Sequence, residues 1–146
     1  MSEVLVSETI HPVYSAHESR TQFLLRVGKA RPVLLQGVYP FAGRGVQDAR
    51  PINADLQYTV PADHTAEVQY VRAGNHSDDL IYLTLIVNDK AIRYFPIGPK
   101  AHIHIPLVIV EPHLAGEVID IGLGAPRGIS GSVVVDVGVF EIEEGM

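Results

Sequence analysis

The chain has 146 residues, 47% of them apolar, and a formal net charge of −6. That length suits one domain with a sizeable core. The apolar content excludes a disordered chain, the acidic balance argues against a general nucleic-acid binder, and no run of 18 apolar residues offers a membrane span. Cysteine is absent, so disulfides and thiolate metal ligands are excluded. The opening MSEVLVSETIHPV has neither a basic n-region nor a long h-region, so no signal peptide is expected. Thirteen glycines, ten prolines and no helical period predict an all-β chain.

In chain order, residues 3–10 alternate as a short strand ended by His11-Pro12, and residues 15–20 are polar enough for a turn. Residues 22–27 (QFLLRV) and 32–39 (PVLLQGVY) read as strands, the second with Pro32 and Gly37 marking an edge or a bulge. Residues 40–51 (PFAGRGVQDARP) have no period. A loop that long inside a compact domain usually has a function, and residues 39–51 are expected to leave the sandwich as an extended arm. The candidate interface residues are Val38, Tyr39, Phe41, Arg44 and Arg50, with the two aromatics as anchors. Charge supports this division. Residues 20–50 hold six basic side chains and one acid, whereas residues 51–146 hold five basic and thirteen acidic ones. The expected organisation is therefore an N-terminal part, 1–55, and a β-sandwich body, 56–146, in one structural unit.

The body begins with a meander. Residues 58–60 stop at Pro61-Ala62-Asp63, and residues 66–71 alternate, with Val68 and Tyr70 expected in the core. Residues 74–79 form a turn. Residues 80–87 (LIYLTLIV) suit a central strand buried on both faces, and Asn88-Asp89-Lys90 turns it into a partner at 91–95. One sheet is expected to be built on this meander. Residues 101–110 (AHIHIPLVIV) follow, with Pro106 at a bulge or edge, then 117–123, a glycine-rich loop at 124–131, and a final strand region at 132–142 with a bulge at Gly138. Residues 141–144 read as an exposed acidic end. Eight to ten strands point to an antiparallel β-sandwich or jelly roll. The expected core is Val68, Tyr70, Leu83, Leu85, Val87, Ile105, Ile119, Ile121, Val135 and Val137.

Chemistry-bearing patterns are few. His102 and His104 share a strand face and could aim at one metal, with Glu111 and His113 as further ligands. The His-x-His followed by Glu resembles the first motif of the cupins, β-barrel metalloenzymes, but Glu111 falls seven residues after His104 where cupins have four or five. The expectation is no bound metal and no cofactor. No G-x-S-x-G, Walker or dinucleotide pattern is present, so no catalytic residues are assigned.

The stretch Thr59-Val60-Pro61-Ala62, Thr65-Ala66-Glu67-Val68, Ala73-Gly74-Asn75-His76-Ser77 and Leu85-Ile86-Val87-Asn88, with Leu114-Ala115-Gly116-Glu117-Val118-Ile119 and Val137-Gly138-Val139-Phe140-Glu141, resembles structural proteins of tailed bacteriophages. The resemblance spans about residues 58–143. It implies a non-enzymatic virion protein made in the host cytoplasm, decorating a capsid or belonging to a tail. Its partners would be copies of itself, in threefold clusters, and a major structural protein of the particle. The alternative is a carbohydrate-binding or adhesion sandwich. Absence of Trp weakens it, and Tyr39, Phe41 and Tyr58 are its candidate platforms.

Overall fold

The computed structural model describes residues 19–144. A seven-residue helix α1 (Arg20–Arg26) comes first. Ten strands follow: β1 (Ala30–Ala42), β2 (Gly45–Pro51), β3 (Tyr58–Thr59), β4 (His64–Asn75), β5 (Ile81–Val87), β6 (Lys90–Ile97), β7 (His102–Pro106), β8 (His113–Leu114), β9 (Val118–Ala125) and β10 (Ser130–Glu143). A 3₁₀ turn, Ala54–Leu56, lies between β2 and β3. All pairings are antiparallel. One sheet runs β1-β10-β4-β7, with β8 also on β4. The other runs β2-β9-β5-β6, with β3 also on β9. Each of the pairs β1/β2, β4/β5, β6/β7 and β9/β10 crosses from one sheet to the other, which is the strand order of a jelly roll. The expected sandwich class holds. The meander does not form one sheet, because β4 lies in the first sheet and β5 and β6 in the second.

Alternation builds the core. Val133, Val135, Val137 and Val139 of β10 face Ile119, Ile121 and Leu123 of β9 and Ile81, Leu83 and Leu85 of β5, and all are buried. Burying such aliphatic side chains contributes about 1.5–3 kcal/mol each. Of the expected core, Val87 and Ile105 are only partly buried against this cluster. Tyr70 is a correction. The register slips between Gly138 and Val139, where Tyr70 pairs with Gly138 but Val68 with Val139. Gln69 is the extra residue, so Val68 and Val71 point inward while Tyr70 points out. The bulged strand is thus β4 and not the expected final strand; Gly138 lies opposite the bulge. A Cβ there would run into the Tyr70 ring.

Three further expectations are corrected. Residues 22–26 are helical, with Val27 as C-cap, because Ser19 caps α1: its side chain accepts from the Gln22 amide while the Gln22 side chain bonds the Ser19 amide. Residues 39–51 are not an arm. They are the end of β1, paired with β10 from Ala30↔Ile142 to Ala42↔Ser130, and β2, paired with β9. The breakers are accommodated by position. Gly43, whose amide bonds the Ile129 carbonyl, sits where a Cβ would collide with the Pro126 carbonyl, and Gly45 has φ 134°. Finally, Glu141 is not part of an exposed end: it is 5% exposed. The strand expected at 3–10 and most of the turn expected at 15–20 lie outside the described residues.

Local stereochemistry accounts for two turns. Asn88 and Asp89 both have positive φ, 49° and 68°, which the β5–β6 hairpin requires. The turn after β4 is organised by buried Asn75. Its amide donates to the carbonyls of Asp79, Ile97 and Gly98, and its oxygen accepts from the Ser77 amide and hydroxyl. One side chain thereby clamps the β4–β5 turn to the β6–β7 turn.

Candidate functional site

The residues expected at a subunit interface scatter. Tyr39 and Phe41 turn inward and pack on their own core, so they do not anchor an arm. Val38 faces outward and is exposed. Arg50 makes a two-pronged contact with Asp48 at 2.9 and 3.3 Å, and Arg44 lies 4.0 Å from the same carboxylate. These guanidiniums hold the Asp48 carboxyl below the usual range, the Arg50 hydrogen bond being the largest cause.

The expected metal ligands also separate. His102 and His104 lie on the outer face of β7, both exposed. His113 is buried on β8, 3.7 Å from Glu117. Glu111 lies 3.6 Å from Arg93. Among the described residues no group of three or more His, Asp or Glu side chains is arranged to hold a metal.

At one end of the sandwich Glu141 accepts from Arg31 at 2.7 and 3.3 Å and from the Tyr58 hydroxyl at 2.8 Å. Burial pushes its carboxyl up, but the hydrogen bonds from Arg31 and Tyr58, with the charges of Arg31 and His64, outweigh that and hold it below the usual range. Burial first, then the bond to Glu141, push the Tyr58 phenol well up. Tyr58 is thus committed to a structural bond and offers no sugar platform. The group ties β1, β3 and β10 together, and every member is engaged.

Among the described residues each outer face carries an open groove. On the β2-β9-β5-β6 sheet a groove of about 430 Å³ is lined by Val46, Gln47, Tyr82 and Tyr94. Register explains its form. Tyr82 of β5 pairs with Pro96, and Thr84 pairs with Tyr94 of β6. The two tyrosines are therefore diagonal neighbours on one face, with backbones about 7–8 Å apart. Tyr94 is 62% exposed. The wall comes from β2, whose pairing with β9 is irregular between Gly45 and Arg50. Residues 46–49 ride over β9, and Gly124 has no room for a Cβ under the Val46 carbonyl. Beside the tyrosines, the Thr84 hydroxyl is buried and lacks a hydrogen-bond partner. No charged side chain lines this groove. Sequence reasoning does not single out Tyr82 because residues 80–87 read as a strand buried on both faces, which holds for Thr84 and Ile86 while Tyr82 is half-buried; Tyr94 lies in the hairpin partner, to which no surface role is assigned. The readable signal was alternation: Ile81, Leu83 and Leu85 in, Tyr82 and Thr84 out.

On the β1-β10-β4-β7 sheet a groove of about 400 Å³ is lined by Arg72, Gly74, His76, His102, His104 and Asp136, among others. The register aligns Gln36, Asp136, Arg72 and His104 in one row across four strands. Asp136 is the hub of that row. It accepts from Tyr70 at 3.0 Å and Gln36 at 3.2 Å, and Arg72 stands 3.6 Å away. Burial and this bond push the Tyr70 phenol up. The Tyr70 ring meets His104 edge-on at 5.9 Å.

No family model and no curated protein matches this chain. Among solved structures it is similar to the CBM36-1 domain of a multidomain xylanase from the hindgut metagenome of Trinervitermes trinervoides. That match has a TM-score of 0.42 and 14% identity, and it covers 80% of this chain and 100% of that one. Similarity at that level carries no functional argument.

Proposed function

We propose that this jelly roll is a non-catalytic binding module that takes a neutral carbohydrate in the Tyr82–Tyr94 groove. The observation that carries the reading is an exposed Tyr94 beside a half-buried Tyr82 on one rigid sheet face, with the Gln47 amide beside them and no charged side chain among the described lining residues. A pyranose presents an apolar C–H face and a rim of hydroxyls. Tyrosine rings match the first, while a side-chain amide and phenol hydroxyls match the second. Both aromatics stand on paired strands, so little ordering is needed on binding. The reading is tested on a glycan array and by titration with the sugars found. Wild type should bind at least one neutral glycan. Tyr94→Ala should weaken binding roughly tenfold or more, with an unchanged melting temperature because Tyr94 is exposed. An array with no neutral binder, or a Tyr94→Ala variant that binds like wild type, overturns the proposal.

A second reading, a structural protein of a phage particle, is favoured by the β7–β8 loop. Val108 is 95% exposed and Ile109 70%. The loop is held in place by an Arg93 bond to the Ile109 carbonyl at 2.8 Å. Adjacent apolar residues presented on a tethered loop suit a protein neighbour. Imaging of particles carrying the protein decides this reading; a protein absent from purified particles rules it out.

A further inference from the structure

We infer that the β7 edge is a strand-addition site for an extended acidic peptide segment of a partner protein. The inference is independent of the carbohydrate reading, since it concerns the opposite sheet.

Backbone parity is the first support. The Asn75 amide bonds the Ala101 carbonyl and the Leu107 amide bonds the Gln69 carbonyl. These fix the odd-numbered residues of β7 as the ones bonded to β4, in register with Val71↔Ile105 and Ala73↔Ile103. The amides and carbonyls of His102 and His104 therefore point the other way, to the outside of the sheet, where β7 is the last strand among the described residues. Pro106 has the same parity and lacks an amide, so it ends the open stretch. The opposite edge is better guarded. On β1 the bonds Gly43 to Ile129 and Glu143 to Lys29 show that the even residues face the free edge, and two of those are Pro32 and Pro40.

Charge is the second support. Arg72, His76, His102 and His104 line the groove beside this edge, and Asp136 is the one acid among the lining residues. It is already met by Tyr70, Gln36 and Arg72. Lys100 and Asp78, just outside, lie 3.5 Å apart and offset each other. No described hydrogen bond engages the imidazoles of His76, His102 or His104. Each offers an N–H to a carboxylate in either protonation state. The chain is net acidic, so a donor-rich patch here stands out from the rest of its surface and complements an acidic segment. Space is the third support. Gly74 forms the groove floor, with His76, His102 and Val134 around the position of its missing Cβ at 3.7–4.0 Å. Long alternate side chains of a strand added beyond β7 would reach back past His102 and His104 toward that floor, while its backbone bonds His102 and His104.

The test pans a displayed library of random octapeptides against the full chain. Selected peptides should carry Asp or Glu at alternate positions and protect the His102 and His104 amides from hydrogen exchange. The variant His104→Pro removes an outward amide without touching the β4 ladder, and His102→Gln with His104→Gln keeps both amides but removes the imidazoles. Each should weaken binding about tenfold. If the proline variant fails to fold, peptides N-methylated at alternate residues make the same test on the wild-type protein, and one methylation register should abolish binding. Selection of peptides without acids, no selection at all, unprotected amides, or full displacement by free glutamate or galacturonate overturns the inference; the last outcome would mark a small-anion site. Loss of glycan binding by Tyr94→Ala leaves it untouched.

Discussion

Glu141 shows how one side chain converts burial into a pH dependence. Its carboxyl is held below the usual range when folded, against about 4.3 in an unfolded chain. A carboxyl lowered on folding contributes fully above the unfolded value, and the contribution disappears as pH falls through the folded one. Glu141→Gln keeps the shape and loses the charge. It should be less stable than wild type by about 1–3 kcal/mol at neutral pH, with the gap closing as pH falls below about 4.3. Urea unfolding at stepped pH measures this; a gap constant down to pH 3 would show that the charge is not the source. Asn75 belongs to the same scale but not to the same class. Its five hydrogen bonds are neutral, so its contribution has no acid limb.

At the scale of elements, the bulge in β4 at Gln69, opposite Gly138 of β10, decides what the outer face displays. Gly138 admits the Tyr70 ring, which in turn reaches Asp136. Gly138→Ala places a methyl into that ring and should cost about 1–3 kcal/mol by overpacking. In a Tyr70→Ala background the same substitution should cost much less, because the clash is gone. Equal costs in both backgrounds, read from denaturant midpoints, would mean that the glycine serves backbone conformation and not the ring. The β2 irregularity plays the parallel role on the other sheet: by riding over Gly124 it turns a flat strand face into a walled groove.

At the scale of the whole molecule, β1 and β2 are edge strands of opposite sheets, and each covers a central strand of its sheet, β10 and β9. A chain lacking residues 1–50 would leave the ladder groups of β9 and of β10 unpaired and would remove Leu35 from the core. Such a truncation should show no cooperative unfolding transition and should bind a hydrophobic dye. A truncated chain that melts cooperatively near the wild-type temperature would mean that residues 56–146 form the folding unit, as the charge division had suggested.

What the sequence determined by itself is what short-range stereochemistry controls. Alternation marks the strands at 66–71 and 117–123; Asn88-Asp89 marks a turn because those side chains tolerate positive φ; and Pro106 marks an edge. The capping box at Ser19 and Gln22 was equally legible and was passed over for the apolar run that follows it. Tertiary structure decided the rest. Residues 39–51 look irregular in isolation because their partners, in β9 and β10, come about 70–95 residues later, and no local period encodes a pairing at that distance. Alternation gives two faces of a strand but not which one is inside, and the extra residue at Gln69 exchanges them halfway along β4. For that reason Tyr70 was assigned to the core, and Tyr82 and Tyr94 were not recognised as a surface. His102 and His104 were correctly placed on one face, yet their separation from Glu111 and His113 follows from β8 pairing beside β7 on β4, which spacing along the chain does not contain.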